Sequence, residues 1–154
     1  MKKFLKVAGI VLGVIVLFFA VLAFWSVQAL SDAQERVTPF MEQSVPLVAT
    51  WDVNNFEALL TPEMVESAQS EKGQKVFKYL SKVGGLKSFS APEVLKVSSI
   101  SDISGTGTEI AIVQVNAEFD NGPGVFTFTL LETDSGYLIQ GINLNSDFFL
   151  EEGT

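Results

Sequence analysis

The sequence predicts an α+β protein, in which an N-terminal transmembrane helix precedes about three helices packed on one face of an antiparallel sheet of about four strands. Three observations predict this class. An unbroken apolar run covers residues 7–25, helical periodicity follows to about residue 83, and strand periodicity begins after residue 86. Helices followed by antiparallel strands are typical of an α+β domain. We therefore expect a membrane segment (1–30), a folded domain (31–150) and a short acidic tail (151–154).

The apolar run has Val7 at its start and Trp25 at its end. As a helix, its nineteen residues span roughly 28 Å, about the thickness of a bilayer core. Signal peptides have a shorter apolar core of about 7–15 residues. The length therefore favours an uncleaved anchor with Trp25 at the membrane interface. Cleavage stays open as the alternative, because small residues at 27–29 and 31–33 suit a signal peptidase.

Charge is distributed unevenly along the chain. Lys2, Lys3 and Lys6 are three of the ten basic residues, whereas all eighteen acidic residues lie from Asp32 onward. The positive-inside rule predicts that the three lysines stay in the cytoplasm and that the domain is exported to the periplasmic or extracellular side. That domain holds seven basic and eighteen acidic residues, a net charge of −11. Such a surface repels nucleic acid, so no nucleic-acid partner is expected.

The chain contains neither cysteine nor histidine. The missing cysteine excludes disulfides and a lipid-modified cysteine. The missing histidine excludes a Ser-His-Asp hydrolase and a His-ligated zinc enzyme. The acidic residues are scattered, and no stretch matches a calcium loop. We therefore expect neither a metal site nor a cofactor.

Start and stop signals divide the helical part. Ser31 and Gln34 have capping-box spacing, acids at Asp32 and Glu35 suit a first turn, and Thr38 with Pro39 forms a second start signal. Pro46 is expected to kink or end that helix. The remaining predictions are a short turn or helix over 54–60, a helix start at residues 61–63, and a clear amphipathic helix over 71–83 that two glycines end.

Strand signals follow. The predicted strands cover residues 94–103, 110–119, 125–131 and 137–144. Turn sequences at 120–124 and 134–136 connect the last three strands into an antiparallel meander.

Several local sequences resemble one superfamily. They are Trp51-Asp52, Asn55-Phe56, the runs 59–63 and 84–88 (the latter in the loop leading into the first strand), and residues 137–142 in the closing strand. They resemble the cystatin-like cone of the nuclear-transport-factor-2-like superfamily, over residues 32–144. The resemblance implies a curved sheet with a concave face. The most similar members are small bacterial proteins with one membrane helix, which implies the bacterial inner membrane.

A concave face is the default ligand site of such a fold. By strand alternation, the candidates to line it are Val113, Val115, Phe119, Phe126 and Phe128. The alternative is that these residues form an ordinary core, which thirteen phenylalanines make easy to build.

No residue stands out as a catalyst. The superfamily's enzymes pair an Asp with His or Tyr inside the cone, and this chain has no His. Asp52 is expected to cap a helix. Glu118 and Glu132 alternate out of phase with the apolar faces, which favours solvated positions. Tyr79 falls on the polar side of its helix, and Tyr137 directly follows a turn.

Two surfaces are candidates for contacts. The polar strand residues Gln114, Asn116, Gln140 and Asn143 suit a ligand, a cross-strand bond or a partner. The apolar triplet 148–150 suits either a partner or, as we favour, folding back over the sheet edge.

These features predict a non-enzymatic, membrane-tethered exported domain that binds a protein partner or a small apolar molecule. The alternative is a small isomerase- or dehydratase-like enzyme that uses a buried carboxylate in the cone. A third possibility is a homodimer through the sheet face. Membrane contact is expected through residues 7–25, and cleavage would release a soluble exported domain.

Overall fold

A computed structural model describes residues 2–101, 105 and 107–152. These residues form a long N-terminal helix, two shorter helices, an antiparallel five-stranded sheet and a short C-terminal helix. The predicted class, an α+β fold behind a long apolar helix, is confirmed.

The first helix, α1, is Lys2–Val48 and has no break. Its 47 residues correspond to about 70 Å. Side chains from residue 10 to residue 25 are exposed. Within the described part of the chain, α1 is the one helix long and apolar enough to cross a membrane. The helix starts predicted at Ser31 and Thr38 are wrong, because α1 passes through both.

Two prolines, Pro39 and Pro46, lie inside α1 without ending it. Both are exposed, so the carbonyl groups that lose their hydrogen bonds lie on the solvent side. On the opposite side, residues spaced by three or four positions are buried in the core: Ala33, Val37, Met41, Val45 and Val48. Burial of this continuous stripe outweighs the local cost of the prolines.

The strands are β1 (Leu86–Phe89), β2 (Glu93–Ser101), β3 (Gly107–Phe119), β4 (Gly122–Thr133) and β5 (Gly136–Asn145). They are antiparallel in the order β1-β3-β4-β5, and β2 also pairs with β3, beside β1. The prediction of about four strands missed β1. The predicted loop at 84–88 is in part a strand, since Leu86 pairs with Phe119. The predicted end of β2, at residue 103, lies outside the described residues.

The second helix, α2 (Pro62–Gln69), begins where the sequence predicts. The Met64 N–H donates to Thr61 Oγ1 at 3.3 Å. The third helix, α3 (Glu71–Leu80), follows at once, and a 3-10 turn over Ser81–Val83 extends it to the predicted end.

The C-terminal helix, α4 (Asp147–Glu152), folds back on the domain. Phe148 and Phe149 pack against the core, whereas Leu150 is exposed. The two phenylalanines therefore fold back on the domain core, and coverage of the sheet edge by this segment stays a prediction.

Polar contacts attach α1 to the sheet where the helix enters the domain. Arg36 forms ion pairs with Glu109 on β3 at 3.2 Å and with Glu132 on β4 at 2.8 Å. Gln34 binds the backbone of β2. These contacts place the β2–β3 and β4–β5 ends of the sheet nearest the apolar segment. The last turn of α1 and the β3–β4 turn lie at the opposite end.

Candidate functional site

The five residues predicted to line a concave face lie inside the core. Val113, Val115, Phe119, Phe126 and Phe128 are each between 0% and 1% exposed. The ring centroids of Phe119 and Phe126 are 5.7 Å apart, and those of Phe126 and Phe128 are 5.2 Å apart. These side chains pack on one another, as expected if the five residues form an ordinary core instead of lining a ligand site.

The candidate carboxylates are not buried. Asp52 is exposed, and its Oδ1 accepts hydrogen bonds from the Asn54 N–H at 3.1 Å and from Asn54 Nδ2 at 2.8 Å. It caps the following 3-10 turn, as expected. Glu118 is exposed, and Glu132 is ion-paired with Arg36. Among the described residues, the buried polar side chains all carry hydroxyl groups. None of the three carboxylates therefore lies in the buried surroundings typical of a catalytic acid.

A surface groove of about 810 Å³ lies where α1 ends, far from the apolar segment. It is lined by residues 50–54, by Ala68 and Gln69 of α2, and by Gln74, Phe77, Lys78 and Ser81 in and just after α3. Three separate segments of the chain therefore meet there.

Trp51 shapes one wall of this groove. Its φ of 61° is the one positive value at a non-glycine residue in the described chain. The Trp51 N–H donates to the Val48 carbonyl at 3.0 Å, so Trp51 takes the left-handed position that glycine usually holds after a helix. The indole lies 6.1 Å from the Phe119 ring and 5.8 Å from the Phe126 ring. Aromatic packing thus holds a backbone conformation that costs about 1–3 kcal/mol.

The polar side chains of the groove are held in place by neighbours. Gln74 Nε2 donates to the Gln69 carbonyl at 3.0 Å. The hydroxyls of Thr50 and Ser81 donate to backbone carbonyls at 2.6 and 2.7 Å. Because both hydroxyls are bound to the backbone and no histidine exists, the described lining offers no activated nucleophile. Its amides, one carboxylate and Lys78 are groups suited to recognition.

Two buried polar atoms have no hydrogen-bond partner in the described part of the protein: Trp51 Nε1 and the Tyr137 hydroxyl. Burial raises the pKa of the Tyr137 phenol above 10.0, nearby Glu132 and Glu109 raise it further, and Arg36 opposes them. Tyr137 therefore stays neutral at physiological pH. It lies at the sheet end nearest the apolar segment, away from the groove.

The polar strand residues are only partly brought together. Gln114 on β3 and Asn143 on β5 both pair with Thr127 on β4, which places all three in one row across the sheet. Asn116 instead contacts the segment before β2, where its N–H donates to Ser90 Oγ at 3.1 Å.

Sequence reasoning missed the groove. The sequence signals at the helix end, Trp51 and the cap Asp52, are local, and they do not reveal that α3 lies opposite. Neither the protein-family models nor the curated proteins compared with this chain gave a match. The resemblance to the nuclear-transport-factor-2-like superfamily stays a prediction.

Proposed function

We propose that the protein is a single-pass membrane protein whose exported domain binds a protein partner and catalyses no reaction. The continuity of α1 carries this proposal. The apolar segment and the buried stripe from Ala33 to Val48 belong to one helix, so no flexible linker separates them. From Trp25 to Val48 the helix rises about 35 Å. The groove beside Trp51 is therefore held well away from the bilayer, where a partner has access to it.

The same helix favours an anchor that is not cleaved. The two candidate peptidase sites end at Ala29 and Ala33, and both residues lie inside α1. Ala33 is also fully buried. Cleavage at the second site would remove Ala33 from the buried core of the domain, which disfavours that site. By the positive-inside rule, the N-terminal lysines lie in the cytoplasm and the domain lies outside, which for a bacterial protein is the outer side of the inner membrane.

The packed interior favours binding over catalysis. An isomerase- or dehydratase-like enzyme would need a buried carboxylate beside a cavity, and the described carboxylates do not supply one. A small apolar ligand would have to displace side chains such as Phe126 and Phe128, which are fully buried. A partner at the surface groove needs neither change.

Two measurements test the proposal. Mass spectrometry of the protein purified from membranes should give the uncleaved mass. Photo-crosslinking of the full-length protein in membranes, from probes at several exposed positions, should give a specific adduct with one protein. A mature mass that lacks the apolar run contradicts the anchor, and no specific adduct from any position contradicts partner binding.

A further inference from the structure

Basic residues in the exported domain are concentrated in one place. The exported domain as a whole carries a net charge of −11. Five of its seven lysines and arginines nevertheless fall within residues 72–87. A surface that serves solubility alone mixes both signs of charge. Segregated charge is typical of a surface that recognises a partner of opposite sign.

Four of these lysines form one exposed surface, which we call the lysine face. It comprises Lys72, Lys75 and Lys78 of α3 and Lys82 of the following turn, and Lys75 is ion-paired with Glu71 of the same helix at 2.6 Å. At about 100° per residue they cover roughly a third of the helix circumference. Phe77, on the opposite side, is buried. Tyr79 lies within the face, is 44% exposed, and has Lys82 Nζ 5.4 Å from its ring centroid.

Cavities border the lysine face on both sides. Lys78 lines the groove beside Trp51. Lys72 lines a second cavity of about 210 Å³, together with Val76 and Leu80. A segment lying along α3 therefore meets positive charge in the centre, a mainly polar groove on one side and a cavity with mainly apolar walls on the other.

One segment of the chain that carries acidic and aromatic residues, α4, already contacts the lysine face. Helix α4 has the sequence DFFLEE, and the Phe149 ring packs 5.0 Å from the Tyr79 ring. Tyr79 of the lysine face is thus already in ring contact with a segment that carries both apolar and acidic residues.

We propose that the lysine face binds an acidic segment of the partner protein, with an apolar side chain of that segment in the cavity beside Lys72, Val76 and Leu80. This inference rests on the proposed partner-binding function. The protein's own bilayer is a poor candidate, because α1 holds the α3 end of the domain about 35 Å from it. Charge complementarity selects an acidic partner, and the cavity beside Lys72 selects one that carries an apolar side chain as well.

A binding measurement on the full-length protein in detergent tests this. The probe is a fluorescent peptide with a repeating Glu-Glu-Phe-Leu sequence, followed by fluorescence anisotropy. The test variant is Lys72→Glu with Lys78→Glu. The matched control is Lys87→Glu with Lys96→Glu, which changes the net charge by the same amount away from α3. We expect the test variant to bind about tenfold more weakly, and the control within about twofold of wild type. Wild-type affinity should fall as NaCl rises from about 50 to 300 mM.

Three results overturn the inference: no binding by the wild-type protein, equal weakening in both variants, or equal affinity for polyphosphate, which indicates a general attraction for polyanions. Photo-crosslinking distinguishes failure of the lysine-face inference from failure of the proposed partner-binding function. Probes replace Tyr79 on the lysine face and the exposed Gln140 on β5. An adduct from Gln140 alone keeps partner binding and removes the lysine face. If no position gives an adduct, both the lysine face and the proposed partner binding are contradicted.

Discussion

The side chain of Gln34 on α1 pairs with the backbone of β2 as a neighbouring strand would. Its Oε1 accepts a hydrogen bond from the Val94 N–H at 2.9 Å, and its Nε2 donates to the Pro92 carbonyl. The register of β2 against β3 shifts just after Val94. Gln34 thus satisfies backbone groups where the ladder is interrupted, and it ties the helix that continues the apolar segment to the sheet.

We expect Gln34→Ala to lower the free energy of unfolding by about 1–3 kcal/mol, because the Val94 N–H is left without a partner in a largely buried position. Urea unfolding of the full-length protein in detergent, followed by tryptophan fluorescence, measures this. The control is Gln43→Ala, an exposed position on the same helix, which should change stability by less than about 0.5 kcal/mol. Equal effects of the two substitutions contradict the role given to Gln34.

Tyr137→Phe should leave stability unchanged or raise it by up to about 1 kcal/mol. The hydroxyl it removes is buried and has no partner in the described part of the protein, and deleting such a group removes a desolvation cost. The same unfolding assay at neutral pH decides the sign. A loss above about 1 kcal/mol would mean that the hydroxyl has a partner, such as a bound water.

The raised pKa of Tyr137 also predicts a pH dependence. Well below the ordinary phenol pKa of 10.0, the side chain is protonated in both the folded and the unfolded chain. Above it, the unfolded chain loses the proton first, so the folded state binds more protons and stability falls as pH rises. Wild type should therefore lose more stability than Tyr137→Phe above about pH 10. Parallel curves for the two proteins count against a raised pKa.

Local signals predicted some elements and misplaced others for a physical reason. Thr61 begins α2 as expected, because its hydroxyl accepts from the Met64 N–H and Pro62 occupies the first helical position. The similar signal at Thr38 and Pro39 fails, because the buried stripe of α1 continues across it. The Thr38 hydroxyl donates to the Gln34 carbonyl at 2.6 Å and remains inside the helix. The local sequence at Thr38 is compatible with either a new helix start or a continuing helix, and tertiary burial determines which one forms.

The sheet was predictable where strands are long and their turns carry glycine, as in β3, β4 and β5. The four-residue strand β1 is too short for alternation to appear. The candidate site was not predictable, because its walls come from residues 50–54, α2 and α3. Their meeting depends on long-range packing, which residue spacing does not record.

The packed interior predicts a large cost for removing a core ring. Phe126 is fully buried and contacts the rings of Trp51, Phe119 and Phe128. We expect Phe126→Ala to lower the unfolding free energy by about 3–5 kcal/mol. Phe18→Ala, in the exposed apolar segment, should leave urea unfolding of the domain unchanged. A cost near 1 kcal/mol for Phe126→Ala would instead indicate that space surrounds the ring.

The left-handed backbone of Trp51 predicts an unusual order of stabilities. Both Trp51→Ala and Trp51→Gly lose the aromatic packing, but only glycine adopts a φ of 61° without strain. Trp51→Gly should therefore be more stable than Trp51→Ala by about 1 kcal/mol. Ala49, two residues earlier, does not have a positive φ. There alanine should be more stable than glycine, so Ala49→Gly should be destabilising by about 0.5–1 kcal/mol. If alanine is more stable than glycine at position 51 as well as at position 49, then the groove wall is not built on a strained turn, and the ring contacts alone place Trp51.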